Sequence, residues 1–219
     1  VVNKTRKKLA VLVSGRGSNM EAILEASKDP DYPAEISLVV SDNMGAKGLD
    51  TASENGITAT AVPRKDYDSK SDHEAAIDQA INSAGADFVV LAGYMRILSP
   101  EFVSRHNGRL LNIHPSLLPR HKGLDTHARA IKAGDERHGC SVHFVNAEMD
   151  GGAIIARSSL LIEAADTPET LASRVLKLEH KLYPQAIAAV ARGDITLENG
   201  ELKISGNLSP QADGTVAFP

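Results

Sequence analysis

Apolar and polar positions alternate in blocks along the chain, and the blocks differ in period. Residues 9–13 are wholly apolar and end at a glycine-rich turn, the pattern of a strand buried on both faces. The spacing then predicts a helix over 18–27, a strand over 35–41, a short helix over 46–54 closed by Asn55-Gly56, and a strand over 57–62. An amphipathic helix is expected over 72–83 and a second fully apolar strand over 86–92. Strand and helix alternate, as in a parallel sheet joined by crossover helices.

The second half has a different rhythm. Residues 109–113 read as a strand running into His114-Pro115, and 126–133 as a helix stopped by Gly134. Residues 141–146 and 153–162 read as strands close enough in sequence to pair antiparallel at one sheet edge. A long helix over 167–191 takes Thr167 as N-cap and Pro168 at its first position, with Pro184 expected to kink it. Residues 195–204, with Asn199-Gly200 at the centre, form a hairpin pattern. The expected fold is α/β: a Rossmann-like, mostly parallel sheet flanked by helices, with antiparallel strands at its C-terminal edge. One domain over 1–205 and a loose tail over 206–219 account for the 219 residues.

Composition narrows the classes. Apolar residues are 42% and charged residues 24%, which fits a globular chain and excludes disordered or collagen-like ones. A single Cys makes no internal disulfide and fits a reducing cytoplasm. The net charge of −4 argues against a broad nucleic-acid surface, and no apolar run is long enough to span a bilayer. The basic start over 1–8 leads into a strand and not into a signal peptide.

Three segments carry chemistry. In Ser14-Gly-Arg-Gly-Ser-Asn19, two glycines follow a strand and open a helix, so free N–H groups and the helix dipole can meet an anion. The loop lacks the Gly-Lys-Ser/Thr of a triphosphate loop, and Met20 stands where the dinucleotide fingerprint needs its third glycine. A monophosphate fits better; a tight turn that binds nothing is the plain alternative. In Leu111-Asn-Ile-His-Pro-Ser-Leu-Leu-Pro119, Asn112 and His114 stand two apart at the end of a strand and share one face. An amide and an imidazole in one cavity can stabilise an oxyanion and move a proton, as acyl transfer requires. In Met149-Asp-Gly-Gly152, Asp150 can supply a carboxylate that favours the protonated imidazole, although an ordinary Asp-Gly turn has the same sequence.

Six of the eight histidines lie between His106 and His143, but none has a metal-binding spacing, and no metal is expected. Cys140, beside a strand, reads as a small buried residue and not as a nucleophile. Arg96, after Gly93-Tyr-Met95, is either a ligand contact or a solvated loop residue.

These motifs, together with Leu91-Ala-Gly-Tyr-Met-Arg-Ile-Leu98, Gly139-Cys-Ser-Val-His-Phe144 and Leu178-Glu-His180, resemble those of the folate-dependent formyltransferases, over residues 9–193. The early glycine loop is most similar to that of the branch acting on glycinamide ribonucleotide. The resemblance implies formyl transfer from 10-formyltetrahydrofolate, a co-substrate, to the amine of that ribonucleotide in purine biosynthesis. It implies catalytic roles for Asn112, His114 and Asp150, phosphate binding by Gly17, Ser18 and Asn19, and a substrate contact at Glu179. It also implies a folate pocket at Met95, Arg96, Ile97 and Leu98. Arg16 departs from the Asn that several members carry. Small-molecule substrates, no nucleic acid or membrane partner, and a monomer or homodimer in the cytoplasm complete the expectation. Rival readings are a formyl-folate hydrolase, whose site run begins His-His-Ser, a tRNA formyltransferase, for which the residues after 193 are too few to form a tRNA-binding domain, and a non-catalytic phosphate binder.

Overall fold

In the computed structural model, residues 5–206 and 208–218 are described; parts of the basic start and of the expected tail therefore lie outside the described residues. The strands are β1 (Lys7–Val13), β2 (Ala34–Ser41), β3 (Thr58–Ala61), β4 (Phe88–Leu91), β5 (Leu110–His114), β6 (Arg137–Phe144), β7 (Ile154–Leu161), β8 (Ile195–Glu198) and β9 (Glu201–Ile204). The helices are α1 (Ser18–Ser27), α2 (Lys47–Glu54), α3 (Lys70–Ser83), α4 (Pro100–Arg105), α5 (Thr126–Ala133) and α6 (Pro168–Arg192). Strands β1–β7 form one sheet in the order β3-β2-β1-β4-β5-β6-β7, and β8 and β9 form a separate hairpin. The chain is organised as two compact units, residues 1–111 and 112–219, with the boundary inside β5.

In the first unit, β1 pairs in parallel with both β2 and β4, and β2 with β3. Leu9 to Val13 are completely buried, as a continuous apolar run between two neighbours requires. Strand order reverses about β1 and β4, so the loops leaving these strands flank the switch point where open α/β sheets place ligands. A helix missed by the sequence reading, α4, begins at Pro100 under a Ser99 cap, and its six residues are too few to show a period.

In the second unit, β6 pairs antiparallel with β7 at the sheet edge, as the short connection predicts. β6 starts at Arg137, four residues before the expected start. Its first residues, Arg-His-Gly-Cys, look like a loop in sequence, yet each pairs with a residue of β7. Gly139 is required there: a Cβ would lie 1.9 Å from the Ser158 carbonyl oxygen. Helix α6 packs on β6 and β7, starts with a Thr167–Thr170 capping box and ends at left-handed Gly193. It runs on through Pro184 as one α-helix.

The tail departs from the expectation of a loose end. Pro210 and Val216 bridge, the Val216 N–H donates to the Ile155 carbonyl at 2.8 Å, and Thr215 and Val216 are buried. Asp213 pairs with Arg157 of β7 at 2.5 Å. Isolated apolar residues such as Val216 carry no periodic signal, and β7 as an edge strand offers free backbone groups to cover. Among the described residues, no helix is long and apolar enough to cross a membrane.

Candidate active site

β5 delivers two polar side chains to one face at the carboxyl end of the sheet. Asn112 and His114 alternate with buried Leu111 and Ile113, so the pleat aims both the same way. The loop that follows is held by two serines. Ser116 Oγ donates to the Arg120 carbonyl at 2.6 Å, while Ser141 Oγ donates to the Ser116 carbonyl and accepts from the Leu118 N–H.

His114 is buried, and each ring nitrogen faces an acceptor. Nε2 donates to the His121 carbonyl at 3.0 Å. Nδ1 stands 3.4 Å from Asp150 Oδ2. A carbonyl only accepts, so Nε2 carries a proton. The Asp150 carboxylate stands where a proton on Nδ1 would face an acceptor. Asp150 comes from the turn between β6 and β7, in a left-handed conformation with φ 49°, which Asp tolerates better than most residues. Its Oδ2 also accepts the Gly123 N–H at 2.9 Å. The turn lies tight on β6: a Cβ on Gly152 would meet the Phe144 carbonyl oxygen at 1.8 Å, so a side chain there would push the turn off the strand.

Asn112 is oriented by a residue that sequence reasoning did not single out. Its Nδ2 lies 3.1 Å from His143 Nε2. His143 Nδ1 lies 2.9 Å from the Phe144 carbonyl and must donate to it. Nε2 of the neutral ring is therefore an acceptor, and it takes one amide proton of Asn112. Burial favours this neutral form by pulling the His143 pKa down. The second proton of the Asn112 amide is left for another acceptor. His143 Nε2 also stands 3.8 Å from Asp150 Oδ1, so Asn112, His143, Asp150 and His114 form one cluster. No local sequence pattern reports this contact, which joins residues 31 positions apart.

His127 and His138 pack against each other outside this cluster. His138 Nε2 meets His127 Nδ1 at 3.1 Å, and burial lowers the pKa of both, that of His138 to about 4. The Cys140 thiol is buried and pushed up by burial and, secondarily, by the Glu179 carboxylate, so it is no nucleophile at neutral pH. Glu179 is accordingly placed on the buried face of α6, near β6. Among the described residues, no group of three or more His, Cys, Asp or Glu is arranged to hold a metal ion.

In the first unit, the glycine loop and the Met95–Leu98 segment are tied together. Ser14 Oγ donates to Asp42 Oδ1 at 2.6 Å and accepts the Met95 N–H at 2.9 Å. Asp42 Oδ2 holds Arg96 Nε at 2.6 Å, so Arg96 is anchored and not a free loop cation. Gly17 is left-handed at φ 77° and packs 3.1 Å, measured from an added Cβ, against the Gly48 backbone, so only glycine fits where α1 begins. Ser18 and Asn19 form the first turn of α1, at the positive end of its dipole. Met95 and Ile97 are exposed, and Arg96, Ile97 and Leu98 line a cavity of about 260 Å³ with Tyr94. Exposed apolar side chains beside an anchored cation suit a flat, partly charged ligand.

Comparison with known proteins gives the chain a family. The family model described as formyl transferase matches residues 7–187. The phosphoribosylglycinamide formyltransferase of Haemophilus influenzae is 40% identical over 206 residues, 94% of this chain and 97% of that protein. The human trifunctional purine biosynthetic protein adenosine-3 is 41% identical over 200 residues, 91% of this chain but 20% of that longer protein. The solved phosphoribosylglycinamide formyltransferase of Coxiella burnetii superposes with a TM-score of 0.91 at 39% identity, covering 98% of this chain and all of that one. That of Brucella melitensis gives 0.82 at 48% identity over 85% of this chain and 96% of that one. A family match over most of the chain, with relatives of this identity along nearly its full length, establishes that the chain is an enzyme of the formyl transferase family.

Proposed function

We propose that this enzyme transfers a formyl group from 10-formyltetrahydrofolate to the amine of glycinamide ribonucleotide, by direct attack and with no covalent enzyme intermediate. The acceptor is supported by the relatives, which carry the name phosphoribosylglycinamide formyltransferase. The observation that carries the mechanism is His114, a buried imidazole with an acceptor at each nitrogen, next to an Asn112 amide with one proton uncommitted.

The neutral amine attacks the formyl carbon, forming the new C–N bond while the carbonyl π pair moves to oxygen. Asn112 Nδ2–H stabilises that oxyanion as a preorganised donor worth ~3 kcal/mol of barrier, and the positive charge of protonated His114 beside it stabilises it further. Asp150 holds the imidazolium and takes part in moving the proton lost by the amine. The oxyanion then collapses, the bond to the folate nitrogen breaks, and that nitrogen leaves carrying a proton. The proton count is balanced, since one leaves the amine and one arrives on the folate.

Gly17, Ser18 and Asn19 take the ribonucleotide phosphate, using the first-turn N–H groups of α1 and the positive end of its dipole. Glu179 contacts the substrate, and Met95, Arg96, Ile97 and Leu98 receive the folate. The folate donor and the free thiol of Cys140 suit a reducing cytoplasm. Purified protein mixed with 10-formyltetrahydrofolate, with and without glycinamide ribonucleotide, tests the reading by the absorbance of the deformylated folate. Product is expected only when the ribonucleotide is present; equal product without it would mean hydrolysis.

A further inference from the structure

We propose that His121 is a positioning residue for His114: its side chain, locked to Asp135, fixes the peptide carbonyl that selects which nitrogen of His114 bears the permanent proton. The proposal rests on the catalytic role given to His114 above. His121 acts only through its carbonyl on His114 and not on the reacting atoms.

The chain begins at α5. Helix α5 ends at Gly134, whose left-handed conformation turns the backbone so that the Asp135 N–H donates back to the Ala130 carbonyl. This brings the Asp135 carboxylate under the loop that leaves β5. The carboxylate is almost entirely buried, and it is shared. Oδ2 pairs with His121 Nε2 at 2.6 Å, and Oδ1 pairs with Arg120. Two consecutive side chains of the loop thus converge on one buried anion.

The backbone at His121 needs such a hold. Its φ is 54°, in the left-handed region where a residue with a Cβ is uncommon and strained. A loop peptide in that conformation relaxes by rotating unless its side chain is held in place. Here the ring is held at Nε2, and the carbonyl of the same residue points at His114 Nε2, 3.0 Å away. The strain therefore serves a contact. If the peptide turned away, Nε2 of His114 would lose its acceptor. The neutral ring would then be free to carry its proton on Nδ1 towards Asp150, or to swing out of line. Orientation of a ring nitrogen by a partner one step removed from the chemistry is a general device in imidazole sites.

The experiment compares His121→Phe with His121→Gln. Phenylalanine keeps the ring volume and removes the donor, while glutamine keeps an N–H that can reach Asp135. Asp135→Ala removes the same contact from the other side, and Arg120→Ala, on the exposed branch, is the control. Two readouts are taken on variants whose thermal melting shows a folded protein: steady-state formyl transfer, and the ¹⁵N spectrum of ring-labelled His114 without substrate. His121→Phe and Asp135→Ala are expected to lower kcat about tenfold with KM for both substrates little changed. The Nε2-bound proton signature of His114 should weaken in both. His121→Gln and Arg120→Ala should keep the wild-type kcat and spectrum. A wild-type kcat and an unaltered His114 spectrum in His121→Phe would overturn the proposal, as would a His121→Gln variant as impaired as His121→Phe. The spectrum requires no substrate, so it tests the positioning role even if wild-type protein shows no ribonucleotide-dependent transfer, a result that would instead sink the proposed function.

Discussion

At the scale of single residues, Asp150 carries more than one duty, and a substitution can separate them. Its left-handed backbone is tolerated by Asn nearly as well as by Asp, and an Asn amide oxygen can still accept the Gly123 N–H. What Asn loses is the charge opposite His114 Nδ1. Asp150→Asn is therefore expected to fold normally, with an unchanged circular dichroism spectrum, while kcat falls by a factor on the order of 10²–10⁴. A turnover near wild type would remove Asp150 from the mechanism. The shared face of Asn112 and His114 was legible because they stand two apart at the end of a strand, whereas Asp150 by itself reads as an ordinary Asp-Gly turn. His143 and His121 were not legible. Each acts through a hydrogen bond to a residue 31 or 7 positions away, and no local pattern reports a bond of that kind.

At the scale of elements, β6 shows how a strand read as ordinary can set a pH response. It carries His138 and His143, and His138 contacts His127 of α5. All three have pKa values lowered in the folded protein, with burial the largest cause. The unfolded chain then binds more protons than the folded one below pH ~6.5, the unperturbed histidine value. The stabilisation is complete above that pH and is lost as pH falls from ~6.5 towards about 4, the folded value for His138. The melting temperature should drop over this range, and His138→Gln, which cannot titrate, should flatten the slope. A variant with the same slope as wild type would show that His138 is not a source of it.

The same strand explains a limit of the sequence reading. Helix ends were legible where caps announce them, as at Thr167 and Gly134. The start of β6 was hidden because its glycine serves a close strand contact and not a turn. Gly139→Ala would force a Cβ into the Ser158 carbonyl, and backbone cannot yield as a flexible side chain can. The expected loss is at least ~2 kcal/mol in chemical denaturation, from overpacking and separation of β6 from β7. A loss below about 0.5 kcal/mol would mean that the pair opens there without penalty.

At the scale of the whole molecule, charge and chain path answer different questions. A net charge of −4 does not favour anionic ligands, so attraction for a phosphate has to arise locally, from oriented N–H groups such as those at the start of α1. The parallel order of the sheet was legible from the alternation of strand and helix, whereas the course of the last residues was not. Among the described residues, the Val216 N–H on the Ile155 carbonyl, the buried Thr215 and Val216 and the Asp213–Arg157 ion pair anchor them. Arg157, which Asp213 holds, also donates from Nε to the Leu118 carbonyl at 2.8 Å in the loop beyond His114. The tail thus supports the site loop through one intermediate residue.

Removal of residues 207–219 should expose part of β7 and free Arg157. Burial of a side chain such as Val216 is worth about 1.5–3 kcal/mol, whereas an exposed ion pair adds no more than about 1 kcal/mol. For a chain of this size that corresponds to a fall in melting temperature of roughly 4–10 °C. Asp213→Ala alone should cost about 4 °C or less, because it leaves Val216 in place. The truncated enzyme should also lose activity at temperatures below its melting point, through looser support of the Leu118 peptide. Full activity up to that melting point would confine the tail to a role in stability.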